Sequence, residues 1–205
     1  HLIVSNFNQQ LGVVEGERNE AGEFIKLLPD GEEGVADAAD FKSIRPHVPM
    51  QEVKHFKVAS DNSFQTGAGR LTLNIGYQRN QRMEFANPDD YNDKELYFDL
   101  HTFTYSAANN FREINKWRLT VGVNGLSQSN KNKGAESLIP EYSMFDAGLF
   151  AYAQKSVEKL TFSGGLRFDN RHINSKLLEE DGQEKFAAFS RNFSNVSGSA
   201  GVSYL

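Results

Sequence analysis

Arg70-Leu71-Thr72-Leu73-Asn74-Ile75-Gly76-Tyr77-Gln78 decides the fold class. Leu71, Leu73, Ile75 and Tyr77 alternate with Thr72, Asn74, Gly76 and Gln78, the period of a strand with one apolar and one polar face. The pattern returns from Lys116, with Trp117, Leu119, Val121 and Val123 against Arg118, Thr120, Gly122 and Asn124. A third copy sets Leu160, Phe162, Gly164, Leu166 and Phe168 against Thr161, Ser163, Gly165, Arg167 and Asp169. Weaker alternation surrounds Leu96–Leu100, Phe145–Ala151 and Ala200–Tyr204, and residues 2–14, 51–60 and 186–193 fit strands less cleanly. The chain therefore reads as all-β, with about nine strands; Glu32 to Phe41 has room for a short loop helix.

The expected connections alternate in length. Residues 15–47, 82–93, 129–141 and 171–185 are long, 107–115 is intermediate, and Asp61-Asn62-Ser63, Ser156-Val157-Glu158 and Ser194-Asn195 are short. In an antiparallel up-and-down meander every second connection lies on the same rim, so one rim gathers the long loops. Transmembrane β-barrels are built this way, with spanning strands of ~9–11 residues. Trp117 is then expected near the short-turn rim and Tyr77 near the long-loop rim, as parts of aromatic girdles. A soluble or surface-exposed β-sandwich that binds carbohydrate or protein also alternates and remains the second reading. The polar faces favour the barrel, because Gly, Thr, Asn, Gln and Ser suit a confined hydrated lumen better than an open charged surface.

Composition agrees with this reading. The 205 residues suit one domain or two small ones at ~150 residues each. Sixteen Phe and seven Tyr lean towards strands, and the absence of Cys excludes disulfide staples and thiol chemistry. Mean hydropathy is -0.55, as expected where only every second residue meets an apolar medium. Nine acids between Glu15 and Asp40 face only Arg18 and Lys26, giving that segment -7; with a net charge of -5 overall, the remainder carries +2. The chain is a nearly neutral body with one acidic loop at about 15–47, and no basic stripe points to nucleic acid.

Nine strands are odd in number, whereas single-chain bacterial barrels close with an even number, and strand-like sequence stands at both ends. The expectation is a piece of a larger barrel. Pro49-Met50-Gln51-Glu52-Val53-Lys54-His55, Gly76-Tyr77-Gln78-Arg79-Asn80-Gln81-Arg82-Met83-Glu84-Phe85 and Ile139-Pro140-Glu141-Tyr142 resemble the barrel region of TonB-dependent outer-membrane receptors. So do Gly164-Gly165-Leu166-Arg167-Phe168-Asp169-Asn170-Arg171, Phe189-Ser190-Arg191-Asn192-Phe193-Ser194 and Gly198-Ser199-Ala200-Gly201, in the same order. The resemblance implies part of a 22-stranded barrel in the outer membrane of a Gram-negative bacterium, in contact with lipid. It also implies import of a scarce nutrient such as a ferric siderophore or haem, and energy coupling to TonB through a plug region that these residues lack.

With the long-loop rim taken as extracellular, Gln78, Arg79, Arg82, Glu84 and Phe85 end one strand, Tyr142 opens another, and Asp169, Arg171 and His172 close a third. These are the candidate ligand-binding residues. Arg binds anionic chelates through paired N–H groups, and Tyr or Phe stacks on planar ligands. The plainer reading of the same Arg and Glu side chains is a lumenal ion-pair network that holds the barrel together. Glu15-Gly16-Glu17, Asp30-Gly31-Glu32-Glu33 and Asn87-Pro88-Asp89-Asp90-Tyr91-Asn92-Asp93 offer oxygen ligands but not EF-hand spacing, so solvated loops are the plainer reading. His47, His55 and His172 are conceivable haem ligands, without the spacing of a chelating pair. No resident cofactor, metal or catalytic residue is expected: a Gly-x-Ser-x-Gly elbow and a phosphate loop are absent, and Gly67-Ala68-Gly69 is too short for a dinucleotide fingerprint.

Overall fold

The computed structural model describes residues 1–12, 16–28, 30, 32–44, 46, 48–87, 90 and 92–204. Its strands are β1 (Leu2–Gly12), β2 (Ile25–Leu27), β3 (Glu33–Val35), β4 (Met50–Gln65), β5 (Gly69–Phe85), β6 (Leu96–Phe111), β7 (Trp117–Asn132), β8 (Tyr142–Val157), β9 (Leu160–Ser175), β10 (Leu178–Glu180), β11 (Gln183–Phe186) and β12 (Phe189–Tyr204). Eight form one sheet in the order β1-β4-β5-β6-β7-β8-β9-β12, every neighbour antiparallel. β2-β3 and β10-β11 are small hairpins set within two of the long connections. The antiparallel meander is thus present, its connections alternating between tight turns and long excursions.

The strands run longer than their clean alternation. Those of the sheet other than β1 have 16 or 17 residues, against the ~9–11 expected. Polar residues read as turns are ladder members. Asp61, Asn62 and Ser63 pair with Asn74, Leu73 and Thr72 inside β4-β5. Ser194 and Asn195 pair with Asn170 and Asp169, so two expected strands merge into β12 and the nine become eight in the sheet. Asn170 holds that joint by donating to Ser194 Oγ at 2.9 Å. Pairing with an equally long neighbour outweighs the low strand preference of Ser and Asn. The expected loop helix is a single 3₁₀ turn at Asp40–Lys42, next to β3.

Residues directly opposite one another share a face. By that register Leu71–Tyr77 of β5, Trp117–Val123 of β7 and Leu160–Phe168 of β9 put all their alternate apolar residues on one side. This side is uncovered: Leu149, Leu166 and Val196 are among its exposed residues, Leu166 at 70%. A two-layer sandwich would bury it beneath a second sheet. Among the described residues the remaining sheets are the two hairpins, so the sandwich reading gives way.

The apolar band crosses the sheet obliquely. The row through Tyr77 continues to Phe103, Ser127, Phe145 and His172. On β5 the continuous apolar run ends at Tyr77, before Arg79; on β9 it ends at Phe168, four residues short of His172. Averaged over the four steps from β5 to β9 the fall is one residue per strand, although Phe103 and Phe145 keep to the Tyr77 row on β6 and β8; at ~3.3 Å rise and ~4.8 Å spacing that average corresponds to a strand tilt of about 35°. That is the tilt at which sheets close into barrels.

Aromatic side chains mark the band's edges. Tyr105 lies between Phe103 and Phe145, with centroids 6.5 and 6.3 Å away, and covers Gly125, where an added Cβ would stand 2.7 Å from Tyr105 Cζ. Trp117 opens β7 at the short-turn rim with Lys155 Nζ 4.9 Å from its ring centre. Tyr77 sits at mid-strand, not at the long-loop rim, because β5 continues as a polar ladder to Phe85; it marks the upper edge of the band. A small core of Val48, Met83 and Phe85, with Met50 and Tyr97 against it, lies at the long-connection end.

Candidate functional site

The polar face carries a ladder of charged and amide side chains towards the long-connection rim. On β8-β9, Arg171 donates from Nε and Nη2 to the two carboxylate oxygens of Asp146, at 2.8 and 2.6 Å. Arg167 donates from Nε to Asp169 at 2.7 Å, pairs with it again through Nη2, and reaches Asn124 Oδ1 at 2.8 Å. Both pairs are fork-to-fork, the geometry in which Arg holds carboxylates best. Gly148 makes room for one of them, since a Cβ there would run into Arg167 and Asp169. Beside these groups Met144, Ile173, Phe189 and Phe193 line a concavity of ≈ 520 Å³ together with Asp146, Asp169 and Arg171.

Three strands away, β5 presents a second group. Arg82 Nη2 donates to Glu84 Oε1 at 2.6 Å, and Gln51 Nε2 donates to the same oxygen at 3.0 Å. Gln78 Oε1 lies 3.3 Å from His55 Nε2. Between the groups, Tyr142 donates its hydroxyl to Gln128 Oε1 at 2.9 Å, and Gln128 Nε2 donates to Thr102 Oγ1 at 3.0 Å.

Of the nine candidate residues, Gln78, Arg82, Glu84, Tyr142, Asp169 and Arg171 therefore share the polar face. The groups on β5 and β8-β9 are three strand spacings apart, about 14 Å. Arg79, Phe85 and His172 have the opposite parity and lie on the face of the apolar band, beyond its edge. Phe85 is packed in the small core. His172 Nδ1 is 2.8 Å from Asn192 Oδ1, and Nε2 is 2.9 Å from Asn174 Nδ2. Arg79 grips Asp99 through Nε and Nη2 at 2.7 and 2.8 Å. Of the conceivable haem ligands, His55 and His172 sit on opposite faces, and His47 lies outside the described residues.

Arg167, Asp146, Asn124 and Gln128 were not among the sequence candidates. Arg167 was recoverable, standing two residues from Asp169 and hence on its face; Asp146 required the register that puts it opposite Arg171.

In the connection before β8, Glu141 accepts from Lys176 Nζ at 2.7 Å and from the Asn132 N–H at 3.2 Å. The Lys176 ammonium, with help from Asn132 and against partial desolvation, keeps this carboxyl below its ordinary range. The acidic segment is a folded lobe. Lys26 Nζ meets Asp40 at 2.5 Å, which raises the Lys26 pKa, and Phe24 packs edge-on against Phe41 at 5.6 Å. Asp37 Oδ1 accepts the N–H groups of Ala39 and Asp40. Among the described residues no three His, Asp or Glu side chains converge as a metal site; Glu15, Gly31, Pro88, Asp89 and Tyr91 fall outside them.

The family model described as "TonB dependent receptor-like, beta-barrel" matches residues 43–205. The chain belongs to this family of TonB-dependent receptors. Solved structures of similar fold include the FrpB iron transporter from Neisseria meningitidis in its F3-3 variant, with TM-score 0.62, 15% identity, and coverage of 100% of this chain and 31% of that one. The F5-1 variant matches with TM-score 0.61, 16% identity and coverage of 100% and 32%. The F5-1 apoprotein form gives 0.60, 14%, 98% and 38%. At these identities the likeness is one of fold. The TonB-dependent receptor barrel segment described here spans about a third of the length of these structures. No curated protein sequence matches the chain.

Proposed function

We propose that these residues form part of the wall of an outer-membrane transporter that binds and imports a scarce nutrient, with an iron complex such as a ferric siderophore or haem as the favoured ligand. The observation that carries the reading is the two-faced sheet itself. An uncovered apolar band, tilted by about 35° and edged by aromatics, suits contact with lipid, and the polar face behind it suits a hydrated lumen. Membership of the TonB-dependent receptor family supports transport, and the iron transporters of like fold support iron as cargo. In this reading the long connections, including residues 15–47, are extracellular. Coupling to TonB is made by a plug region outside the 205 residues.

Within the lumen, Arg171, Asp169 and Tyr142 on β8-β9, and Gln78, Arg82 and Glu84 on β5, are proposed to meet the ligand. Each Arg is already paired with a carboxylate, so an anionic ligand would bind by exchanging with that partner. The test is equilibrium binding and cellular uptake by the whole receptor, with candidate ferric chelates and haem in competition. Arg171→Gln should weaken binding of the transported complex by about tenfold, the worth of one charge-assisted hydrogen bond, while the barrel keeps its heat-modifiable mobility on gels. Unchanged binding and uptake would assign the Arg171–Asp146 pair to the barrel's framework alone. Recovery of the whole protein in the soluble fraction without detergent would refute the transporter reading.

A further inference from the structure

We infer a further binding site on the polar face, for a short zwitterion with a carboxylate at one end and an ammonium at the other; this goes beyond the iron complex proposed above and rests on the same reading of that face as a hydrated lumen. Where β4, β5 and β6 run side by side, the face is hollowed into a concavity of ≈ 220 Å³. Ala59 and Gly76, directly opposite each other, form its floor. Gly76 keeps the floor low, because an added Cβ would stand 2.7 Å from Thr104 Oγ1 on the next strand. Small residues in the middle and longer ones around them make the hollow.

The two ends of the hollow carry opposite charge. Lys57 closes the end towards the long connections, opposite Gln78, and Asp61 closes the other, opposite Asn74. Arg82, Arg167 and Arg171 on the same face each hold a carboxylate, whereas the exposed Lys57 and Asp61 have no ion-pair partner among the described residues. Between them the lining is uncharged and forms hydrogen bonds. The Asn74 amide, turned so that both its ends are satisfied, donates to Asp61 Oδ1 at 3.3 Å and accepts from Ser106 Oγ at 3.3 Å. His55 lies on Gln78 Oε1, which leaves the Gln78 Nε2 donors for a ligand carbonyl.

Length selects the ligand. Lys57 and Asp61 are four residues apart on β4, so their Cα atoms stand about 13 Å apart at ~3.3 Å per residue. An extended dipeptide spans about 7 Å, and the two side chains bridge the rest. A carboxylate on Lys57 and an ammonium on Asp61 satisfy both charges at once, while the peptide group between them meets the amides and hydroxyl of Gln78, Asn74 and Thr104. A free amino acid is too short to meet both ends, and a ligand of anionic groups alone would be repelled by Asp61. Each new ion pair stays in contact with water and is worth about fivefold in affinity.

The test uses the whole receptor in micelles of a neutral detergent and ranks three probes by ligand-observed NMR titration: the dipeptide Ala-Ala, its N-acetyl form, which lacks the ammonium, and its C-terminal amide, which lacks the carboxylate. Ala-Ala should bind about fivefold more tightly than either of the others. Lys57→Gln should abolish the preference over the amide and keep the preference over the N-acetyl form; Asp61→Asn should do the converse. Lys155→Gln, on the opposite face, should change neither. Equal binding of the three probes, or loss of both preferences in either variant, would overturn the site. Labelling of Lys57→Cys by a water-soluble charged maleimide, in an otherwise cysteine-free receptor in vesicles, tests the lumen separately. A reactive cysteine together with probes that bind alike refutes the site alone; an unreactive one refutes the lumen reading as well.

Discussion

Leu166→Arg is expected to destabilise the whole receptor in phospholipid vesicles by about 2–4 kcal/mol, the cost of a guanidinium near the middle of a bilayer-facing strand. Leu166 lies well inside the apolar run of β9, opposite Ala151 and Gly198, and its side chain points away from the sheet with 70% exposure. No carboxylate stands beside it in its row, so the new charge has no partner. The control is Ser199→Arg, one strand across and on the polar face, opposite Gly165. There the charge would enter a hydrated lumen and cost less than about 1 kcal/mol. Urea-induced unfolding in vesicles measures both. An open sheet in water would tolerate both changes equally, because an exposed leucine loses nothing when replaced by a solvated arginine.

The second large effect belongs to Asp99. Asp99→Ala removes the one anion shared by Arg79, Lys133 and His101, and should cost about 3 kcal/mol. This is the low end for breaking a buried pair, since the Arg79 and Lys133 side chains are partly exposed and water can take up their charge. Arg79→Gln with Asp99→Asn separates pairing from packing. In a double-mutant cycle the two should be coupled by about 1.5–3 kcal/mol, as for charge-assisted hydrogen bonds. Additive effects would show that the carboxylate is held by Lys133 and the surrounding backbone instead.

The sequence was most legible where physics imposes a strict period. Leu71–Tyr77, Trp117–Val123 and Leu160–Phe168 each carry one apolar face along their whole run, and all three are found in the sheet as read. The strand ends were not legible. Asp61–Ser63 and Ser194–Asn195 have the composition of turns, and only their partners Asn74–Thr72 and Asn170–Asp169 keep them extended. The candidate site suffered from the same limit. Gln78, Arg82 and Glu84 follow even parity from the clean part of β5, whereas Arg79 and Phe85 are odd and so fall on the other face. Parity within the strand could have sorted these five. Parity could not have found Asp146 for Arg171 or Asp99 for Arg79, because those pairs depend on cross-strand register, which is fixed by turns and neighbours rather than by the strand's own residues.

The central claim is that one face of this sheet meets lipid and the other a hydrated lumen. The chain contains no cysteine, so single cysteines from Leu71 to Gln78 and from Leu160 to His172 can be spin-labelled in turn within the whole receptor, provided the rest of the protein is cysteine-free. Power-saturation measurements in vesicles, with oxygen and a water-soluble nickel complex as relaxants, then read each position. Labels at 71, 73, 75, 77 and at 160, 162, 166, 168 should favour oxygen. Their neighbours should favour nickel, in strict alternation, with the oxygen-rich zone of β9 ending four residues short of the row through Tyr77. Nickel accessibility at every position, without alternation, would contradict the account.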